Sequence, residues 1–314
     1  MQQISGIKKR IRSITKIKQM TRATQLISAI RSRKSKQLLD QAFPFMVTCA
    51  ETMTMLLKQT DLPDNPLLAI KHRPDDRRRK LVFYVFTGDQ GLAGAYNLNV
   101  LTTAEAFIEE KIAEFEAQGL EVEHSARIVG SIGLEHMQAR GIHIVEPEIY
   151  PVAPPTYYRA GELSLRIEDL YLSHEVDEIY FIFTRMNRAL SMEVIKTRVL
   201  PADIKGLETI YEGYTTLQWE EVPDGRHIDF GENVERVFSY LIDTYLNGMT
   251  YGAMVEAHAC EQAARMMAMD SANRSADEML AKLEIERNRA RQASITNELN
   301  EIVSGAETLS QQRK

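Results

Sequence analysis

Apolar residues at the start of the chain recur at alternating steps of three and four, at Ile4, Ile7, Ile11 and Ile14. That is the heptad spacing of a helix that lays one seam against a partner helix. The seam then shifts through three-residue steps at Ile17 and Met20 and resumes at Ile27 and Ile30. Shortened spacings of that kind overwind a paired helix locally. Lys9, Arg12 and Lys16 fall on the opposite face. Pro44 is expected to kink or break this helix, and a second apolar run reaches about Leu57.

The other end of the chain carries a longer pattern. From Gly231 to Val303 there is no proline, and Val234, Phe238, Leu241, Tyr245, Gly248, Gly252, Val255 and Ala259 keep the three-four alternation. Met266, Ala276, Leu280 and Leu283 extend it. Unbroken, roughly 73 residues at 1.5 Å each make a rod of about 110 Å. Such a helix cannot bury its stripe within one globule and needs a helical partner. The N-terminal seam is the only other long one, so an antiparallel pairing of the two ends is expected, with part of the longer helix projecting alone. Gly248 and Gly252 permit close approach, and Asp243, Asn247 and Glu256 nearby suit a soluble pair rather than a membrane pair.

The middle reads differently. All ten prolines lie between Pro44 and Pro223. Strand patterns at Leu81–Phe86, Arg127–Val129, Glu178–Phe183 and Val194–Leu200 alternate with helical ones at Asn97–Gln118 and Glu162–Leu172. Alternation of that kind predicts an open α/β sheet. The expected organisation is an N-terminal coiled-coil helix over 1–60, a linker over 61–80 and an α/β, Rossmann-like domain over 81–205. A second linker over 206–230 and a C-terminal coiled-coil helix over 231–314 complete it. The fold class is therefore an α/β central domain plus a long antiparallel two-helix coiled coil.

Charge adds a partner to this picture. The chain has 314 residues and a net charge of −6, yet residues 1–39 hold 11 Lys/Arg and no acid. The remainder carries 27 basic and 44 acidic residues, or −17. A basic end on an acidic body points to an acidic partner: nucleic acid, a membrane surface or an acidic protein loop. No aromatic residue for base stacking precedes Phe43, which favours a protein-facing or solvated basic face. No apolar run approaches the roughly 18 residues of a membrane span, and no signal peptide is read, so a cytoplasmic chain is expected. Cys49 and Cys260 have no metal-ligand spacing and read as free thiols.

Candidate chemistry is sparse. Thr87–Asn97 follows a strand and precedes a helix, with Gly88, Gly91 and Gly94. It lacks both the Walker and the G-x-G-x-x-G spacing, and reads as a tight turn rather than a phosphate loop. His124, His136, His143, His174, His227 and His258 form no cluster with Cys or carboxylates. No nucleophile elbow or general-base constellation is present. Met266, Met267 and Met269 suit a helix core, or a surface that packs against changing partners. A basic coiled-coil scaffold binding nucleic acid and a nucleotide-binding enzyme on the α/β domain stay open as alternatives.

The run Arg287–Ala306 closely resembles the signature of the gamma subunits of F-type ATP synthases. Ala263–Asn273 resembles the segment before it, Thr87–Asn97 the family's middle-domain loop, and Ile4–Lys34 its first helix. The resemblance covers essentially the whole chain. It implies a non-catalytic rotor with no cofactor, one copy per complex, turning within alpha and beta subunits and standing with epsilon on a membrane c-ring, at the cytoplasmic face of a bacterial membrane. By motif it makes Arg291 and Gln292 contacts for a catch loop of beta, and Arg265 a contact for beta's acidic lever loop. It gives Thr296 and Glu298 a role in coupling or shaft stability. Thr24 stands where the family usually has Met, and Gln90 and Ala93 stand where its middle loop usually has Arg and Cys. The cysteine-bearing insert of chloroplast forms does not appear, which favours a bacterial type. Neither nucleic acid nor direct nucleotide binding is implied.

Overall fold

The computed structural model describes residues 2–59, 65–68, 77–139, 150–187, 191–202 and 234–311. In chain order these form α1 (Gln2–Gln59), β1 (Arg78–Phe86), α2 (Tyr96–Ala117), β2 (Glu121–Val129) and α3 (Gly133–Ala139). There follow α4 (Tyr157–Leu172), β3 (Glu178–Met186), β4 (Met192–Leu200) and α5 (Val234–Gln311). The chain divides into two compact units: Met1–Ala29 with Arg265–Lys314, and Ile30–Ala264. Both α1 and α5 contribute to each.

The second unit is built on a four-stranded sheet in the order β2-β1-β3-β4. β1 pairs in parallel with β2 and with β3, and β4 closes one edge antiparallel to β3. β1 is central and its residues are buried almost without a break, as a strand covered on both faces must be. Val82, Tyr84 and Phe86 face a core shared with Ile167 of α4, Phe238, Ile242 and Met249 of α5, and Met53 and Leu56 of α1. Leu81, Phe83 and Val85 face Val100, Ala104 and Phe107 of α2 on the other side, with Cys260 and Ala264 of α5. The α/β sheet expected from the middle of the chain is there.

Several boundaries differ from expectation for physical reasons. β1 begins at Arg78, inside the expected linker, because Arg78 and Lys80 pair with Glu121 and Glu123 of β2 at 3.4 and 3.6 Å. β2 starts six residues before Arg127. It is an edge strand, so charged residues alternate along it and mask its β character. α4 starts at Tyr157 because the Thr156 hydroxyl accepts the Arg159 N–H at 3.3 Å, an N-cap. The expected linker over 206–230 lies outside the described residues.

Pro44 does not break α1, which runs through it. A proline removes one helical hydrogen bond, but Leu39, Met46, Cys49, Met53 and Leu56 are all buried around it. Met46 packs on the two glycines of α5, where a Cβ would meet its side chain at 3.2 Å from Gly248 and 3.5 Å from Gly252. Burial of five side chains outweighs one backbone bond.

The expected shift of the α1 seam does not occur either. Ile17, Met20, Ile27 and Ile30 are exposed, Met20 by 71%. The covered positions continue the first four isoleucines at unbroken three-four steps: Lys18, Thr21, Gln25, Ser28, Ser32, Ser35 and Leu39. Five of these residues, Lys18, Thr21, Gln25, Ser32 and Ser35, are hydrogen-bonded to α5. In the first unit Lys18 bonds Asp277, the Thr21 hydroxyl bonds Asn273 Oδ1 at 2.5 Å, Gln25 Nε2 donates to Asp270 at 3.0 Å, and Asn273 Nδ2 donates to Gln25 at 2.9 Å. In the second unit the Ser32 hydroxyl donates to the Ala259 carbonyl at 3.1 Å and the Ser35 hydroxyl meets His258 Nδ1 at 2.8 Å. Numbers rise on one helix as they fall on the other, so the helices run antiparallel at each set of contacts. From Ile295 to Ser304 every α5 residue is exposed.

Polar residues in a helix seam fix register at a cost in stability. Replacing Thr21 and Asn273 together, as Thr21→Ile with Asn273→Leu, should therefore stabilise the chain by about 1 kcal/mol. Urea unfolding of the purified chain measures this, and a lowered midpoint would show that the polar pair is itself a net stabiliser.

Candidate functional site

The residues singled out by sequence occupy two stretches of α5 and one of α1. Arg291, Gln292, Thr296 and Glu298 are exposed. The Thr296 hydroxyl donates to the Gln292 carbonyl at 3.0 Å, so these two are joined across one turn. Glu298 accepts from the Ser294 hydroxyl at 3.1 Å. Thr24 is half-buried and donates to the Met20 carbonyl at 3.0 Å. Arg265 stands apart, roughly seven turns or on the order of 39 Å along α5 from Arg291. It is also only 3% exposed. The two arginines therefore define two separate places on the helix, one open and one covered.

Sequence reading missed a third feature, the seat of α5 on the α/β domain. Every residue from Ala253 to Arg265 is buried, including Glu256, His258, Glu261 and Gln262. The loop after β1 reaches this stretch. The Gln90 N–H donates to Glu261 Oε1 at 3.2 Å, and the Tyr96 hydroxyl donates to the Ala257 carbonyl at 3.0 Å. At the end of β3, the Met186 N–H donates to Glu256 Oε2 at 3.4 Å. The loop is the tight turn expected, held by the Gly88 N–H on Asn97 Oδ1 at 2.7 Å. Its Asp89 carboxylate accepts the Val152 and Ala153 N–H groups at 3.1 and 2.7 Å, which ties down the entry to α4. The available signal was a run of acidic and polar residues inside a stripe predicted to be buried.

Among the described residues no group of His, Cys, Asp and Glu is arranged to hold a metal, and no helix is long and apolar enough to cross a membrane. Cys49 and Cys260 are free and buried. His136 bonds Glu105 at 3.1 Å and His258 bonds Ser35. His143 and His227 lie outside the described residues.

One long helix before and one long helix after a mixed α/β sheet in the chain are the elements of an ATP synthase stalk subunit, and comparison with known proteins agrees. A family model described as ATP synthase matches residues 3–309. An ATP synthase gamma chain of Ruminiclostridium cellulolyticum is 34% identical over 303 residues, covering 96% of this chain and 97% of the relative. One from Acetivibrio thermocellus is 33% identical over 310 residues, covering 98% and 100%. Among solved structures, a chain of the Euglena gracilis mitochondrial ATP synthase (OSCP/F1/c-ring) matches with a TM-score of 0.57 and 13% identity, over 99% of this chain and 96% of that one. A chain of the Tetrahymena thermophila mitochondrial ATP synthase central stalk and c-ring matches with a TM-score of 0.51 and 17% identity, over 81% and 99%. The chain belongs to the ATP synthase gamma-chain family, the non-catalytic central-stalk subunit of that complex.

Burial raises the Glu256 carboxyl from an ordinary 4.5 to about 8, against the opposing influence of the Met186 N–H, Arg185 and Lys36. Asp40 adds to the rise, and Cys260 and Tyr96 lie within electrostatic reach. Between these two values the folded chain holds a proton that the unfolded chain has released. This contribution to stability is complete below about pH 4.5 and is lost as pH rises through about 8. Glu256→Gln, which is neutral throughout, should remove that slope. Melting temperatures of both chains from pH 5 to pH 9 should diverge upward in favour of the variant; parallel curves would mean that Glu256 is ionised in the fold.

Proposed function

We propose that this chain is the rotor shaft of an F-type ATP synthase, with α1 and α5 wound as an antiparallel coiled coil and the α/β domain as its foot. The helical arms are 1–60 and 231–314, and the foot is 81–205. The foot stands on a ring of membrane c subunits and binds epsilon, and the coiled coil turns within alternating alpha and beta subunits, one copy per complex. Bound in this way, the chain is peripheral at the cytoplasmic face of the membrane. Ion flow turns the ring, and the asymmetric shaft forces the catalytic beta sites through different conformations. The chemistry of ATP belongs to beta; this chain supplies torque.

The observation that supports the shaft best is the antiparallel polar seam, in which Lys18, Thr21 and Gln25 meet Asp277, Asn273 and Asp270. A shaft must hold its register against twist. Hydrogen bonds at fixed pairs do this, whereas a uniformly apolar seam could slip. With the seam filled by polar residues, Ile17, Met20, Ile27 and Ile30 face outward, giving a smooth apolar track for a surrounding ring.

Arg291 and Gln292 are the contacts proposed for beta's catch loop, and Arg265 that for its acidic lever loop. A guanidinium binds a carboxylate through two parallel bonds, which gives geometric definition. At the exposed Arg291 such a pair is worth only about 0–1 kcal/mol, weak enough to break at each step. Thr296 sets the turn that carries Gln292, Glu298 braces the next, and Thr24 lies on the α1 side.

Copurification with alpha, beta and epsilon tests the assembly. Arg291→Ala combined with Gln292→Ala tests the contact, because both side chains are exposed. The double variant should change folding stability by no more than about 0.5 kcal/mol while lowering ATP-driven ion pumping several-fold. Arg265→Glu should also weaken coupling with the chain still folded, the urea midpoint showing whether the covered site tolerates the reversal. Normal pumping in all of these variants would refute the assigned contacts.

A further inference from the structure

The sheet has the topology of a nucleotide-binding fold. The connection from β1 goes through α2 to β2 on one side, and β3 lies on the other. In open α/β sheets this reversal leaves a crevice at the carboxyl ends of the strands, where phosphates bind against loop N–H groups. Here that crevice is filled by the chain itself. Glu261 of α5, 1% exposed, places Oε1 on the Gln90 N–H of the β1–α2 loop at 3.2 Å. A Cβ at Gly88 would come within 2.8 Å of the Glu261 carboxyl, so only glycine leaves room for it. Five residues before, Glu256 meets the Met186 N–H at the end of β3. Two acidic side chains of one helix thus take a loop N–H after β1 and the last N–H of β3, the two positions that flank the reversal.

We propose that Glu261 is an internal anion standing in the place of a bound phosphate, and that it latches α5 to the α/β domain against torque. The inference rests on the rotor reading above. Apolar contacts such as Cys260 and Ala264 against the sheet resist separation but are non-directional and permit sliding. A carboxylate on a backbone N–H is directional and about twice as strong as a neutral bond. It resists rotation of the helix in its seat. Glu261 is a positioning residue, acting through the seat of α5.

The test uses the assembled membrane complex with Glu261→Ala, Glu261→Gln and Gly88→Ala. ATP hydrolysis, ATP-driven ion pumping and subunit content are measured, with and without an opposing ion gradient. The expected result is load-dependent slip. Without a gradient, the pumping-to-hydrolysis ratio matches wild type. Against a gradient it falls by about threefold or more in Glu261→Ala and by less in Glu261→Gln, which keeps the acceptor but not the charge. Gly88→Ala, which pushes the carboxyl off the loop, behaves like Glu261→Ala, and adding Glu261→Ala to it causes no further loss. A ratio that is unchanged under load in fully assembled complexes would overturn the latch, as would one that falls equally with and without load. Glu261→Gln is close in shape and guards against a folding failure of the alanine variant. If Arg291→Ala with Gln292→Ala lowers pumping while the Glu261 variants do not, the latch alone fails; if none of them does, the rotor reading fails first.

Discussion

The chain depends on a seam of polar residues between two helices. Lys18, Thr21, Gln25, Ser32 and Ser35 occupy heptad positions where apolar side chains would pack more strongly. Each meets a partner on α5, so no buried donor there is left to pay a desolvation penalty. Small hydroxyl side chains also bring the helix backbones close, as the Ser32 bond to a main-chain carbonyl requires. The outcome is one register, and a set of isoleucines and methionines left free to face outward.

A second constraint fixes where α5 meets the sheet. Its residues Ala253–Ala264 are buried whatever their polarity. Burial of Glu256, His258, Glu261 and Gln262 in one stretch is tolerable only if the surroundings supply donors. For three of them they do, through the Gln90 N–H after β1, the Met186 N–H at the end of β3 and Ser35. Two oxygens of the stretch, Oε1 of Glu256 and Oε1 of Gln262, have no hydrogen-bond partner among the described residues, and of the two only Glu256 can take a charge. That is why burial lifts its titration so far.

Much of this was legible in the sequence. Proline placement separated the helical ends from the middle, and β1, α2, β3 and β4 were found within a few residues of their places. The buried stripe of α5 was read correctly at Phe238, Leu241, Tyr245, Ala276 and Leu283. The α1 seam was misread beyond Ile14 because apolarity was taken as the mark of burial. Ile17 and Met20 continued a plausible pattern, while Thr21 and Gln25 looked like surface. Only the partner helix distinguishes the two, since Asn273 and Asp270 lie far away in sequence. Pro44 was overweighted for the same reason: propensity is local, and the packing that overrides it is not. Of the candidate site, Arg291, Gln292, Thr296 and Glu298 are named by family resemblance alone, and their exposure is what the fold adds. The seat around Glu261 was not, because an acidic residue in a buried helix stripe carries no sign of the loop that receives it.

The two kinds of contact on α5 divide the work of a moving part. Where the helix must stay fixed, at Glu256 and Glu261, its polar groups are buried and bonded to backbone, which cannot rotate away. At Arg291 and Gln292, the contacts proposed for beta, they are exposed and carried on long side chains, and solvent would compete for every bond. The same residue chemistry thus gives a permanent joint in one stretch and a transient one in the other, and burial alone sets the difference. Arg265 is the intermediate case: an arginine of the contact type held in a covered position. A charge so placed could engage an acidic loop only when its cover shifts, so the contact proposed for Arg265 is conditional on movement in a way that those proposed for Arg291 and Gln292 are not.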